Sequence, residues 1–153
     1  VTGDTAVKFH WYKFSQWLGR IGKRMPTQTE FQALSIGSNQ GTNITGSANP
    51  VTTGGHSDTA GRRMISNIGC EDCCGVLWQR GDESGAGGSA AWANAYDTND
   101  AGVAGQHYLA PNRPLFGGNW NNRANCGSRG ANWNNSPLNL NANNGVRRVA
   151  EPL

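Results

Sequence analysis

The chain has 153 residues, 36% of them hydrophobic, with 22 Gly, 6 Trp and a formal net charge of +3. That length allows one modest core, the large aromatics argue against disorder, and the small positive charge implies no nucleic-acid partner by itself. No run is apolar enough to span a bilayer, no charged-then-apolar signal peptide opens the chain, and its first residue is Val, so the sequence reads as a trimmed, loop-rich, water-exposed domain covering 1–153 without membrane insertion, with an upstream signal or shaft left open.

The first predicted element is a helix from Trp11 to Ile21, where Trp11, Phe14, Trp17, Leu18 and Ile21 recur at spacings of three and four, and Gly19 and Gly22 suit its end. A second helix opens at Thr27. Thr27 and Glu30 form a Thr-x-x-Glu capping box, Phe31 and Leu34 share a face, and Gly37 stops the run. Residues 37–61 show no periodicity and read as a long surface loop. Cys73–Gln79 is the best central-strand candidate, Gly81–Ser89 a further loop, and Leu115–Trp120 and Gly145–Ala150 two late strands. Helices first and short strands later suggest an α+β domain, with two helices packed on a small antiparallel sheet.

Residues 101–150 contain no Asp or Glu, yet hold Arg113, Arg123, Arg129, Arg147 and Arg148. The arginines are too scattered for a polyanion patch and are expected to bond loop carbonyls and lie on Trp faces. Within this stretch, eleven positions from 119 to 144 are Asn: Asn119, Asn121, Asn122, Asn125, Asn132, Asn134, Asn135, Asn139, Asn141, Asn143 and Asn144. Asn favours turns over regular structure and offers both donors and an acceptor. Trp120 and Trp133 punctuate the run, and Val146 and Val149 follow it, which a structureless linker would not need.

Two motifs carry a resemblance. Tyr12–Ser38 (YKFSQWLGRIGKRMPTQTEFQALSIGS) resembles the Trp-Leu-Gly … Pro-Thr-x-x-Glu-Phe signature of the formylglycine-generating-enzyme-like branch of the C-type lectin fold. Leu115–Val149 is similar to the variable region of diversity-generating-retroelement target proteins of phage-tropism type. The resemblance implies a C-type lectin fold in which a reverse transcriptase diversifies adenine-rich codons, such as those of Asn, within a segment of about 115–149. It implies contact residues at Asn119, Asn121, Asn122, Arg123, Asn125, Asn132, Asn134, Asn135, Asn139, Asn141, Asn143 and Asn144, with Arg123 and Ala124 as positions already changed. Trp120, Trp133, Gly117, Gly118, Gly127, Gly130, Ser128 and Arg129 then form the fixed scaffold. Asn121, Asn122, Asn134, Asn135, Asn139 and Asn141 are expected to be exposed. The implied partner is a bacterial surface receptor or another protein or glycan ligand. The implied place is a phage tail-fibre tip or a bacterial surface, with a homotrimer as the common assembly of fibre tips.

Three rivals are weaker. A copper oxidase of the formylglycine type needs two late thiolates, and Cys126 is the single late cysteine. A calcium-dependent sugar lectin needs carboxylate ligands that 101–150 lacks, although Asp97 or Asp100 could serve a structural calcium and Trp with Asn could hold a sugar without metal. Cys70, Cys73 and Cys74 lack the second pair of a zinc site and are expected to be buried free thiols, with a local disulfide as the alternative. His10, His56 and His107 show no catalytic spacing. The expectation is no catalytic residue, no cofactor and no metal.

Overall fold

The structure is a computed structural model describing residues 9–38, 65–85, 90, 92–93, 107–108, 111–122 and 125–150. Its elements are α1 (Trp11–Arg20), α2 (Gln28–Ser35), β1 (Trp78–Arg80), β2 (Trp92–Ala93), β3 (His107–Tyr108), β4 (Leu115–Phe116), β5 (Ala131–Asn132) and β6 (Asn144–Gly145). The predicted loop at 37–61 lies outside the described residues beyond Ser38, as do His56, Asp97 and Asp100.

Helix α1 begins where His10 Nδ1 accepts the Lys13 amide at 3.2 Å. It ends in a Schellman motif: the Lys23 amide reaches back to the Leu18 carbonyl (2.9 Å) and the Gly22 amide to Gly19 (3.1 Å). Gly22 occupies the left-handed position at φ +65°, where a side chain would be strained. Trp11 and Leu18 are buried, but Trp17 and Ile21 are exposed. At 3.6 residues per turn Trp17 sits about 120° around the helix from Trp11, so the apolar stripe is wider than the face that packs.

Helix α2 carries the predicted box in full. The Glu30 amide donates to Thr27 Oγ1 (3.3 Å), and Glu30 Oε2 accepts the Thr27 amide (2.8 Å). Arg24 adds two bonds to the same carboxylate, at 2.6 and 2.7 Å. Hydrogen bonds from Arg24 and from the Thr27 amide hold the Glu30 carboxyl at about 2, well below its ordinary value.

The main sheet has strand order β5-β4-β1-β6, with β1–β4 and β4–β5 antiparallel but β1–β6 parallel, so it is mixed rather than wholly antiparallel. Strands β2 and β3 form a separate antiparallel pair. The central strand starts later than expected, at Trp78 rather than Cys73. Before it, Asp72 turns the chain at φ 55° and the Gly75 amide bonds the carbonyls of Gly117 and Gly118. The later strands shift too. Gly145 pairs with Gln79, while Val149 makes an isolated bridge to Arg24. Strand β5 arises inside the Asn run, where the composition predicts none.

Two larger apolar clusters hold these elements, with Val76 and Leu77 a smaller third among the described residues. Phe31, Cys73, Cys74 and Phe116 form one, with Leu34, Cys70, Ala131 and Trp133 packed on it. Trp11, Leu18 and Met25 form the other, with Tyr12, Phe14 and Val146 against them. Phe31 stacks on Phe116 at 5.4 Å, linking α2 to β4. Among the described residues, no helix is long and apolar enough to cross a membrane.

Candidate ligand-binding surface

The Asn-rich segment leaves β4 through Gly117 and Gly118, both left-handed at φ +85° and +82°. A side chain is excluded here twice over. A Cβ on Gly117 would meet the Cys73 carbonyl at 2.5 Å, and one on Gly118 the Cys126 sulfur at 2.8 Å. The chain then doubles back: the Gly117 amide donates to Gly130 (2.8 Å) and its carbonyl accepts from Gly127 (3.1 Å). These contacts make Gly117 and Gly118 the hinge through which the segment leaves the sheet.

Within this fold-back, two asparagines act on the backbone. Asn119 is buried, its Oδ1 accepting the Asn121 amide (3.1 Å), while Asn122 Oδ1 accepts the Asn119 amide (2.8 Å). The Cys126 thiol donates to the Asn119 carbonyl at 3.3 Å. Asn121 and Asn125 stand exposed above this frame. Arg123 and Ala124 lie outside the described residues.

Strand β5 continues the pattern. Asn132 and Asn134 are exposed, and the Asn134 amide donates to Asn132 Oδ1 (2.9 Å). Trp133, between them, turns inward and meets the Phe116 ring edge-on at 6.4 Å. It also covers Gly85, where a Cβ would lie 2.8 Å from the indole. Trp120 is half-buried, and its amide bonds the Val76 carbonyl (3.2 Å). Trp133 is therefore packed against the core, and the Trp120 amide ties that residue to Val76.

Past β5 the expectation of exposure fails at Asn135. This residue is buried, its carbonyl accepting the Arg113 amide (2.8 Å) and its Oδ1 the Asn139 side-chain amide (3.1 Å). Burial follows because the chain here runs beneath Arg113 and against α1, where the Trp11 amide bonds the Pro137 carbonyl (2.8 Å). Asn122 and Asn139 are half-buried for similar reasons of local bonding, and Asn141 is exposed. Asn143 and Asn144 are half-buried at the sheet, with the Asn143 carbonyl accepting from Trp78 (2.9 Å). Arg129, expected to tie loop backbone together, is exposed instead, and no hydrogen bond to it occurs among the described residues.

Sequence reasoning missed Arg80. Its side chain is fully buried, donates from Nη2 to the Asn139 carbonyl and lies 6.0 Å from the Phe14 ring centre. Burial pushes its pKa down to about 10. A charged residue closing the apolar run Val76–Trp78 was the available signal. Two of the other arginines behave as expected: Arg113 lies 3.8 Å over the Trp11 ring and bonds the Glu83 carbonyl (3.3 Å), and Arg147 bonds the Glu71 carbonyl (2.6 Å).

The chemistry of this surface is that of adaptable hydrogen bonding. Cys73, Cys74 and Cys126 are buried free thiols, each pushed up to about 11 by burial, and so are neutral near physiological pH. Cys70 is also free and half-buried. Among the described residues, no group of three or more His, Cys, Asp or Glu could hold a metal ion.

Two buried clusters, capped helices and a mixed sheet that presents a long, locally tied loop segment define a C-type lectin fold. No family model matches the chain. It is 35% identical over 145 residues to the tail fiber receptor-binding protein of Bordetella phage BPP-1, covering 94% of this chain and 37% of the relative. Solved structures agree. The U1 variant of the Major Tropism Determinant superposes with a TM-score of 0.75 at 34% identity, over 93% of this chain and 37% of that one. The P3c variant gives 0.75 at 30% identity, over 96% and 39%. The chain is thus similar to the Major Tropism Determinant along nearly all of its own length, and spans little more than a third of the length of these relatives.

Proposed function

We propose that this chain is the receptor-binding tip of a phage tail fibre, displayed on the extracellular virion tail, and that 1–153 is one lectin-type domain contacting its ligand through about 115–149. The observation that carries this reading is the division within the Asn run. Asn119, Asn135, Arg80 and Trp133 hold the backbone from inside, while Asn121, Asn125, Asn132, Asn134 and Asn141 point their side chains outward. Side chains that make no bond to the frame, or as with Asn132 only an exposed bond that water can replace, can be exchanged without loss of the scaffold, which is what retroelement diversification of adenine-rich codons requires. The contact set is therefore these five with Arg129, Asn122 and Asn139 at its margins, and Arg123 as a further member. The ligand is a host surface receptor, protein or glycan.

The neutral, buried thiols and the absence of carboxylates from 101–150 support binding without catalysis. Single amide contacts contribute only about 1 kcal/mol net, so several copies per fibre would multiply weak contacts through avidity. The test exchanges Asn121, Asn125, Asn132, Asn134 and Asn141 together for Tyr, Ser or Asp and measures binding to a panel of bacterial surfaces. A changed binding profile with an unchanged melting temperature is expected. An unchanged profile would overturn the assignment of this surface.

A further inference from the structure

Away from β5, a groove of about 440 Å³ opens between α1 and β6. That volume lies within the usual range for small-molecule sites, roughly 300–1,000 Å³. Val76, Leu77 and Val146 give it an apolar floor, and the half-exposed Trp17 indole forms a wall. Asp72, Gln79, Arg147 and Arg148 supply its polar groups. None of these residues belongs to the Asn contact set.

Several observations mark the groove as built rather than incidental. Gln79 is nine-tenths buried, and its side-chain nitrogen is committed to the Leu77 carbonyl at 3.0 Å. Its side-chain oxygen is thereby left as an acceptor in the lining. Arg147 spends Nη2 on the Glu71 carbonyl (2.6 Å), which fixes the guanidinium, while its buried Nε has no partner among the described residues. Asp72 is the single non-glycine residue with positive φ among those described, at 55°. Such backbone strain concentrates at ligand sites. Trp17, the aromatic that the helix period placed in the core, stands here with 48% of its surface open.

We infer that this groove binds a small sugar bearing a carboxylate. A flat indole wall over an apolar floor suits the C–H face of a pyranose ring, because an aromatic face is electron-rich. Fixed donors and acceptors at the rim suit hydroxyls. Two guanidinia against one carboxylate leave a charge of +1 (two minus one) in the lining, which matches a monoanion better than a dianionic phosphate facing Asp72. Arg148, exposed beside the fixed Arg147, provides the fork for a carboxylate. This site is independent of the receptor surface, and its failure leaves that proposal intact.

The test titrates the whole chain with glucuronate, N-acetylneuraminate and, as a neutral control, glucose, followed by saturation-transfer NMR and calorimetry. One of the acidic sugars should bind with Kd on the order of 1 mM, and glucose roughly tenfold more weakly. Trp17→Ala and Arg148→Gln should each weaken acidic-sugar binding about tenfold without altering the far-UV melting curve, whereas Asn134→Ser should leave it unchanged. Three results would overturn the inference: glucose and the acids binding alike, binding indifferent to both groove variants, or no binding of any of the three at millimolar concentrations. So would sedimentation showing that a second copy of the chain covers the groove and is released by Trp17→Ala.

Discussion

The helical region Trp11–Ser35 and the segment Asn119–Asn144 solve the same problem, satisfying a backbone, in opposite ways. In the first, side chains at fixed offsets dictate the conformation: Thr27 and Glu30 close the box, Leu18 anchors the helix, and Gly22 ends it. In the second, the conformation is imposed from below by Phe116, Arg80 and the Gly117–Gly118 pair, and most asparagines contribute little to it. The first region could not change its surface chemistry near the caps without changing its fold. The second can, and that freedom is the property a variable contact surface needs.

The largest expected effect falls on the core beneath the loop. Phe116 is buried between Phe31 and Trp133, so Phe116→Ala should cost about 4 kcal/mol in urea unfolding. Trp133→Ala should cost somewhat less because that ring is only half-buried. If neither change moved the midpoint, the loop would not be held from below and the contrast would collapse.

A finer break separates one Asn from another. Asn119 and Asn135 bond the frame from buried positions. Asn119→Ala and Asn135→Ala should each cost about 1–2 kcal/mol. Equal stability of these variants and of Asn134→Ala would remove the division within the run.

These two residues show where the sequence stops being informative. The capping box was legible because its signal is local: two side chains three residues apart bond each other's backbone. The start of α1 and its glycine end were legible for similar reasons. Asn119 and Asn121, by contrast, are chemically identical and two residues apart, and only the fold-back onto Gly75 and Cys126 makes one of them internal. Arg80 was overlooked and Trp17 was placed on the wrong side. The strand reading stopped at Gln79, one residue short of the buried guanidinium, and the indole was counted with the packed face, because periodicity counts side chains without knowing which elements will cover them. Strand β5 was invisible since Asn composition argues against strands, and pairing with β4 overrides that weak preference.

The Glu30 carboxylate offers a smaller, pH-dependent test of the helical region. Its folded value of about 2 lies below the ordinary 4.5, so its stabilisation is complete above about 4.5 and is lost as pH falls toward 2. Arg24 and Glu30 remain 28% and 37% exposed, and solvent screening limits the contribution to about 1 kcal/mol. Glu30→Gln should lower the urea midpoint at about pH 6 and bring the variant and parent together at about pH 2. A constant gap between them across that range would mean that the cap's geometry, not its charge, does the stabilising.

The smallest effect is the most diagnostic. Asn121, Asn125, Asn132, Asn134 and Asn141 are exposed, and surface changes away from special features usually stay within about 0.5 kcal/mol. Each singly replaced by Ser, Tyr or Asp should leave the denaturation midpoint close to that of the parent. Asn121 and Asn134 should be the most tolerant, because their backbone amides are bonded by Asn119 and Asn132 while their own side chains are not part of those bonds. Asn132 is the sharper case, since its Oδ1 accepts the Asn134 amide (2.9 Å) in an exposed setting where water can replace it. Asn132→Ala should therefore remain within the same narrow range, and Asn132→Asp, which keeps the acceptor, should be indistinguishable from the parent. If Asn132→Ala instead cost as much as Asn119→Ala, exposure would not separate the contact residues from the frame, and Asn132 would move from the variable surface to the scaffold.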